Sequence, residues 1–197
     1  MRKILFPAIG LVFSITACGI KDSPRTFTDS EKPFIHHLSP EAVITYPPFI
    51  RQESPDLCGL AAAKMIAAYY GQNLNPEDLS AVESTAKKMG GASGQEMKNL
   101  LQNSGFEVSV FPGSLKAGGH NIFSEIDRAR PLIVMLKKGT ESHYMVLDGY
   151  DPKKNLVILN DPRDGPIALP IKNFKMGWES AGKFTLLALP MESAERP

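Results

Sequence analysis

The sequence predicts an α+β fold in which a helical N-terminal half precedes an antiparallel sheet. Two observations lead to this prediction. Helix-forming residues with start and stop signals dominate residues 57–105, whereas four apolar, extended runs separated by turn residues lie within residues 132–189. The chain has 197 residues, of which 43% are hydrophobic, so it is long enough for one domain with its own core.

The predicted helices have recognisable ends. Asp56 can cap the first helix, which starts at Leu57 and stops at Gly71. The capping box Ser93-Gly94-Gln95-Glu96 opens a later helix, because its serine and glutamate can satisfy each other's backbone N–H groups. With these signals, the predicted helices cover residues 57–70, 76–89, 94–105 and 121–130.

The extended runs predict the sheet. They comprise residues 106–111, 132–136, 143–150, 156–159 and 184–189. The turn at residues 151–155 joins two of these runs into a hairpin. If Tyr150 faces a residue near Asn155, the partner of His143 lies near residue 162, one residue from Asp161. The hairpin is therefore expected to bring a histidine and a carboxylate to the same open end.

Cys58 stands in the first turn of the predicted Ala-rich helix, where free backbone N–H groups and the helix dipole favour a thiolate. A small buried core cysteine is the alternative, because free cysteines are among the most buried residues. An imidazole such as that of His143 could take the thiol proton, and Asp161 could fix its tautomer. Gln52, six residues earlier, could donate to an oxyanion. His120 is a second candidate base, in a Gly-rich loop without a paired carboxylate.

The N-terminus predicts export. Residues 1–17 combine a basic start with a short apolar run and small residues, which is typical of a signal peptide. Ile15-Thr16-Ala17-Cys18 resembles a bacterial lipobox, so Cys18 is expected to carry lipid and become the new N-terminus. A plain signal peptide is the alternative. Gly19 stands where an Asp would retain the protein at the inner membrane, so in a Gram-negative host the expected place is the outer membrane, facing the periplasm.

The mature chain is expected to have three parts. Residues 18–45 are largely polar and contain prolines, which indicates a lipid-anchored linker, and the pair at residues 36–37 is interpreted as solvated histidines in it. Residues 46–190 form the predicted domain, and residues 191–197 form a C-terminal tail. The two cysteines can form at most one disulfide, which excludes a disulfide scaffold.

The charge balance limits the expected partners. The formal charge is +1, and it becomes −1 when Arg2 and Lys3 leave with the signal. Neither value supports a nucleic-acid partner. The histidines and cysteines do not form a spacing typical of a metal site, so neither metal nor cofactor is expected. A peptide held by shape and backbone hydrogen bonds fits this balance better than a strongly charged partner.

Several motifs follow one another in a distinctive order: Gln52, Cys58-Gly59 opening an Ala-rich helix, His143-Tyr144-Met145-Val146-Leu147, Asn160-Asp161-Pro162, and Phe174 with Trp178. This order resembles the bacteriocin-processing, double-glycine leader peptidase family of papain-like cysteine peptidases. The resemblance covers about residues 46–190 and implies a papain-like fold. It also implies Cys58 as nucleophile, His143 as general base, Asp161 as the residue that orients His143, and Gln52 in the oxyanion hole.

The resemblance further implies cleavage of a peptide bond through an acyl-enzyme thioester, usually after Gly-Gly. The sequence contains no transmembrane bundle and no ATPase domain, so we expect a stand-alone lipoprotein, attached to the membrane by lipid on Cys18 and acting in an export or envelope complex. Two alternatives remain at this point. One is a non-catalytic module that holds a peptide in the same cleft, and the other is a transamidase or amidase that uses the same cysteine.

Overall fold

A computed structural model of the protein describes residues 37–191. The predicted signal peptide and the lipidation site Cys18 lie outside the described residues. His36, most of the predicted linker and residues 192–197 lie outside them as well. Within the described residues, none of the helices has the length and apolar character that a membrane span requires.

The helices of the N-terminal half follow the sequence prediction closely. Asn75 caps the second of them through its side chain, and Ser93 and Glu96 form the predicted capping box at the start of the third. Gly71 adopts a positive φ of 67° just after the first helix, as a helix stop requires. The helices are α1 (Cys58–Tyr69), α2 (Pro76–Met89), α3 (Gly94–Asn103), α4 (Ile122–Asp127) and α5 (Ile171–Ser180).

The start of α1 differs from the prediction. Asp56 does not cap the helix but lies inside a short 3₁₀ turn, Pro55–Leu57, which leads directly into Cys58. Pro55 has no N–H to satisfy and its fixed φ suits the first residue of such a turn. The N–H of Leu57 donates to the carbonyl of Ser54, so the chain turns without a side-chain cap.

The strands form one antiparallel sheet, which confirms the α+β class. The strands are β1 (Val43–Ile44), β2 (Phe106–Pro112), β3 (Leu132–Lys138), β4 (Glu141–Asp151), β5 (Leu156–Asp161), β6 (Gly165–Pro170) and β7 (Phe184–Pro190). The sheet order is β2-β7-β3-β4-β5-β6, and β1 pairs with β4 beside this path.

Helices cover both faces of this sheet. The Ala-rich helix α1 packs with α3 against one face, where Ile133, Tyr144 and Val146 contribute to its hydrophobic cluster. A second hydrophobic cluster lies on the other face, where it is built from the strand residues that alternate with those of the first cluster. It contains Phe174 and Trp178 of α5. Because neighbouring strand residues point to opposite faces, β3 and β4 serve both clusters. The small alanines of α1 allow its backbone to approach the sheet closely.

Three elements of the fold were not predicted as such. Strand β6 begins Gly165-Pro166 and ends at Pro170, and these turn-forming residues indicate a loop and not a strand. Prolines are tolerated here because β6 is an edge strand. Helix α5 buries two aromatic residues, Phe174 and Trp178, four positions apart. Strand β1 is two residues long and exists through its pairing with β4.

The segment 37–47, which we name the N-terminal strap, is ordered along the sheet, although the sequence predicts a linker through residue 45. Ser39 donates to Asp151 from both its backbone N–H and its hydroxyl, each at 2.7 Å. Further along, the Thr45 N–H donates to the Asp148 carbonyl, and the Asn160 amide donates to the Pro47 carbonyl. These hydrogen bonds join the strap to β4 and β5.

Candidate active site

The first turn of α1 places Cys58 against the sheet. Cys58 is the first residue of the helix, and 6% of its surface is exposed. It is a free cysteine. Gly59 follows it, and a Cβ at that position would lie 2.7 Å from Met97 Sδ and 3.3 Å from Tyr144 Cδ2. Glycine at this position therefore allows the start of α1 to come close to β4.

His143 and Asp161 meet at the end of the β4–β5 hairpin. His143 Nε2 lies 2.7 Å from Asp161 Oδ1, and both side chains are largely buried. Asp161 Oδ1 also accepts the backbone N–H of Arg163 at 2.8 Å, which holds the carboxylate in place. The same imidazole interacts with the Cys58 thiol, so it lies between a sulfur and a carboxylate.

The hairpin reaches this arrangement in a register slightly different from the predicted one. Tyr150 pairs with Val157, two residues beyond the Asn155 expected from the turn. The register then shifts between Leu147 and Gly149, so that Val146 pairs with Asn160. A bulge of this kind inserts one extra residue into a strand. The resulting pairing still brings His143 and Asp161 to the same end of the hairpin.

The electrostatics of the three side chains favour a thiolate beside an imidazolium. Burial raises the pKa of the Cys58 thiol, but hydrogen bonds from His143 and from the Tyr144 N–H outweigh this, and the pKa is lowered overall. Burial likewise lowers the pKa of His143, whereas its bonds to Asp161 and Cys58 raise it, to about 9 in total. For Asp161, burial raises the pKa, and hydrogen bonds from His143 and the Arg163 N–H lower it further than burial raises it. A proton on His143 thus stabilises a negative charge on each side.

Gln52 lies near the β4–β5 hairpin, and no hydrogen bond joins it to Cys58 within the described residues. Its backbone N–H donates to the Pro162 carbonyl at 2.9 Å, beside Asp161. Its side-chain Nε2 donates to the Ser54 carbonyl at 2.8 Å, and its buried Oε1 has no hydrogen-bond partner within the described residues. An amide nitrogen has two N–H donors, so one of them remains available for a ligand.

The two other histidines of the described chain, the second candidate base His120 and the linker residue His37, lie away from Cys58. His120 has a positive φ of 62° in the loop before α4, and its ring lies 4.8 Å from that of Phe111. Its carbonyl accepts the Ser114 N–H, which fixes the loop. His37 is an exposed residue of the strap. Among residues 37–191, no group of three or more His, Cys, Asp or Glu side chains is arranged to hold a metal.

An open cleft of about 570 Å³ adjoins Cys58. Its apolar lining comes from Pro55, Met89, Met135 and Tyr144. The loop between α2 and α3 forms another side through Gly90 and Gly91, and Ser93 and Glu96 supply polar groups at the start of α3. The volume is in the range of ligand-binding sites in proteins.

Tyr144 and Glu96 were not predicted as parts of the site. Tyr144 follows His143 on β4, and its backbone N–H helps to lower the pKa of the Cys58 thiol. Burial and the nearby charges of Cys58 and Glu96 raise the pKa of Tyr144 to about 12. The sequence shows Glu96 as a capping residue. Its place beside Cys58 depends on how α3 packs near α1, which local sequence does not specify.

The α+β fold and a cysteine–histidine–aspartate group beside a cleft together define a class of papain-like proteins. Sequence comparison matches residues 47–190 to the Peptidase C39 family, and the chain belongs to that family. A comparison with curated proteins finds no match.

Solved structures show the same fold. One is a double glycine motif protease from an AMS/PCAT transporter, crystallised with the leader peptide. It is 21% identical, with a TM-score of 0.59 over 75% of this chain and 94% of that one. The peptidase domain of Streptococcus ComA, a bifunctional ABC transporter of a quorum-sensing pathway, is also 21% identical, with a TM-score of 0.59 over 74% and 100% of the chains. A C39-like peptidase from Bacillus anthracis is 16% identical, with a TM-score of 0.54 over 77% and 98% of the chains.

Proposed function

We propose that this protein is a cysteine endopeptidase that hydrolyses a peptide bond through a thioester on Cys58. The observation that carries the proposal is the position of the His143 imidazole between the Cys58 thiol and Asp161, with a distance of 2.7 Å to the carboxylate. A merely structural cysteine needs neither a hydrogen-bonded base nor a lowered pKa.

The first half of the reaction follows from the charges. The Cys58 thiolate attacks the carbonyl carbon of the scissile bond, and a tetrahedral oxyanion forms. His143 then donates its proton to the leaving amine nitrogen, and the C–N bond breaks. The first peptide product leaves, and the acyl group remains on Cys58 as a thioester.

In the second half of the reaction, a water molecule takes the place of the leaving amine, and His143 changes from proton donor to proton acceptor. Neutral His143 takes a proton from a water molecule, whose oxygen attacks the thioester carbonyl. The C–S bond breaks, Cys58 returns to the thiolate, and the carboxylic acid product leaves. Asp161 keeps one ring nitrogen bonded throughout, so that His143 presents the other to the reacting atoms.

Gln52 is proposed to stabilise the oxyanion together with a backbone N–H at the start of α1. Its Nε2 already donates one hydrogen to the Ser54 carbonyl, which fixes the amide in the loop before Cys58. The second hydrogen is free to bond a developing negative charge. A preorganised donor of this kind is worth roughly 10²–10³ in rate in other hydrolases.

The substrate and the place of action are also part of the proposal. One structural relative is a double glycine motif protease from an AMS/PCAT transporter, in complex with the leader peptide, and another is the peptidase domain of an ABC transporter of a quorum-sensing pathway. We propose that this protein likewise cleaves an exported peptide or protein, after a Gly-Gly pair. The basic and apolar start of the sequence, followed by Ile15-Thr16-Ala17-Cys18, supports export and a lipid anchor on Cys18, in a bacterial envelope.

Thiol labelling and cleavage together test the chemistry. Iodoacetamide should modify Cys58 of the full chain faster than it modifies a free cysteine peptide at pH 6–7, because the lowered pKa keeps more thiolate. The full chain should also cleave members of a mixed peptide library, with products identified by mass spectrometry. Cys58→Ala should lose cleavage by about 10³-fold or more.

Cys58→Ser is the matched control, since it keeps the side-chain shape and removes the reactive sulfur. Unchanged cleavage by Cys58→Ala would disprove the mechanism. Product masses also separate the proposal from its alternatives. Products that carry an added amine would indicate a transamidase. Peptides that bind equally well to the wild-type protein and to Cys58→Ala, and that neither protein cleaves, would indicate a binding module.

A further inference from the structure

One carboxylate faces the same cleft as Cys58. Glu96 belongs to the first turn of α3 and lines the cleft together with Ser93. Apart from Cys58, whose thiol can ionise, the other side chains that line this cleft are uncharged at neutral pH. The side chain of Glu96 therefore sets the sign of the charge at this end of the cleft.

The carboxylate of Glu96 is ionised and has no counter-charge. Hydrogen bonds from the Ser93 hydroxyl and backbone N–H lower its pKa, with burial opposing them weakly. Both hydrogen bonds go to Oε2, at 2.7 Å each. Within the described residues, Oε1 accepts no hydrogen bond, and no lysine or arginine pairs with this side chain.

The helix cap does not by itself require a charge at this position. A capping box works with Gln as well as with Glu, because an amide oxygen can accept the same backbone N–H. The negative charge of Glu96 is therefore available for a second purpose at the solvent-accessible side of the cleft. A carboxylate forms stronger hydrogen bonds with a cationic head group than a neutral acceptor does.

The walls of the cleft suit the rest of a long cationic side chain. Met89 and Met135 are flexible and apolar, and the Tyr144 ring offers a flat apolar surface. Lysine and arginine side chains combine an apolar stem with a charged head, and they lay the stem along apolar groups. A stem lying on these residues would carry its head to the Glu96 carboxylate.

We propose that Glu96 is a specificity-determining residue that binds a lysine or arginine side chain of the substrate close to the scissile bond. The inference rests on the proposed peptidase function, because it assigns the cleft to the substrate. It adds a preference that the relatives' descriptions do not contain.

The test compares two peptides that differ in one group. Acetyl-capped, internally quenched peptides would carry either lysine or norleucine at each position in turn on both sides of the cleaved bond, so that the side-chain amine is the sole difference. At one position, wild-type protein should show a kcat/KM at least about tenfold higher for lysine than for norleucine. Glu96→Gln, which keeps the capping acceptor, should bring this ratio close to one.

Glu107→Gln is the charge-matched control, since Glu107 is an exposed residue of β2 outside the cleft. This variant should keep the wild-type ratio. Equal rates for the two peptides at every position in the wild type, or a ratio that survives in Glu96→Gln, would overturn the inference.

A binding measurement separates this inference from the proposed function. Fluorescence anisotropy in a Cys58→Ala background reports affinity without turnover, for the same lysine and norleucine peptides. A lysine preference that disappears when Glu96→Gln is added supports the inference even if the wild type cleaves nothing. Equal affinity for both peptides overturns it, whether or not the wild type is a peptidase.

Discussion

The His143 imidazole contacts two groups that both gain from its positive charge. Asp161 Oδ1 lies 2.7 Å from His143 Nε2, and the Cys58 thiol interacts with the same ring. The proton therefore stays on His143 to a higher pH than in a free histidine, and the thiol loses its proton at a lower pH than a free cysteine. At neutral pH the resting state is expected to be a thiolate–imidazolium pair.

This pair predicts the pH dependence of cleavage. Activity should fall as the pH rises through about 9, where His143 loses the proton that the leaving amine needs. Asp161→Asn removes a charge that raises the pKa of His143, so the alkaline limb of kcat/KM should move to lower pH by about one to two units. The rate at the optimum should also fall, because the imidazole loses its orientation.

The profile is measured with one quenched peptide between pH 5 and pH 10. Asp164→Asn is the control, because Asp164 is an exposed neighbour whose loss leaves the His143 bond intact. An alkaline limb at the same pH in Asp161→Asn and in the wild type would show that the carboxylate does not set this pKa.

Much of this residue-scale arrangement was predictable from local rules. A cysteine at a helix start and a hairpin turn of known length were enough to place Cys58, His143 and Asp161 as candidates for one site. The bonding of Gln52 to Ser54 was not predictable, because it depends on a loop conformation without periodicity. The position of Glu96 depends on long-range packing, for which its capping role gives no signal.

At the scale of single elements, the start of α3 links stability to the cleft. Ser93 caps the helix by accepting the Glu96 N–H at 3.2 Å, and Glu96 accepts the Ser93 N–H in return. The same turn forms one side of the cleft beside Cys58. The cap therefore fixes the backbone that presents Glu96.

Removing this cap should destabilise the fold measurably. Ser93→Ala should lower the free energy of unfolding by about 1 kcal/mol, because the Glu96 N–H loses its acceptor. Urea denaturation followed by circular dichroism measures the change. Ser93→Thr keeps a hydroxyl at the same place and should lose less, so equal losses in the two variants would contradict the role assigned to the cap.

The elements that were predicted correctly are those with signals inside their own sequence. Ser93 and Gly71 mark helix ends through local hydrogen bonds and backbone geometry, so the N-terminal helices could be placed. Strand β1 has no such signal, because its two residues become a strand only by pairing with Tyr150 and Gly149 of β4. Asp56 is the opposite case, where a plausible cap is replaced by the turn that Pro55 begins.

At the scale of the whole molecule, Asp151 joins the N-terminal strap to the β4–β5 turn. Its carboxylate accepts two hydrogen bonds from Ser39 and one each from the backbone N–H groups of Lys153 and Lys154. Asp151 is buried, so water cannot readily replace its carboxylate as the hydrogen-bond acceptor of these four donors. One side chain therefore stabilises both a tight turn and a contact between residues more than a hundred positions apart.

The loss of this carboxylate should weaken the strap and the turn together. Asp151→Ala should lower the free energy of unfolding by about 1–3 kcal/mol, because several donors lose their acceptor. Amide hydrogen exchange at Val43 and Ile44 should become faster, since β1 is held next to this contact. Lys153→Ala retains its backbone donor and is the control, and equal stability of the two variants would show that the carboxylate is dispensable.

The strap contacts the turn end of the β4–β5 hairpin, whereas His143 and Asp161 meet at the opposite, open end. The described chain begins at His37, whose carbonyl accepts a hydrogen bond from Lys154 in the β4–β5 turn. His143 lies near the other end of β4, eight residues from Asp151, which corresponds to about 26 Å at the usual rise per strand residue. A lipid anchor on Cys18, as proposed, would therefore attach the domain at the turn end of this hairpin. The proposed chemistry belongs to the opposite end, where His143 meets Asp161.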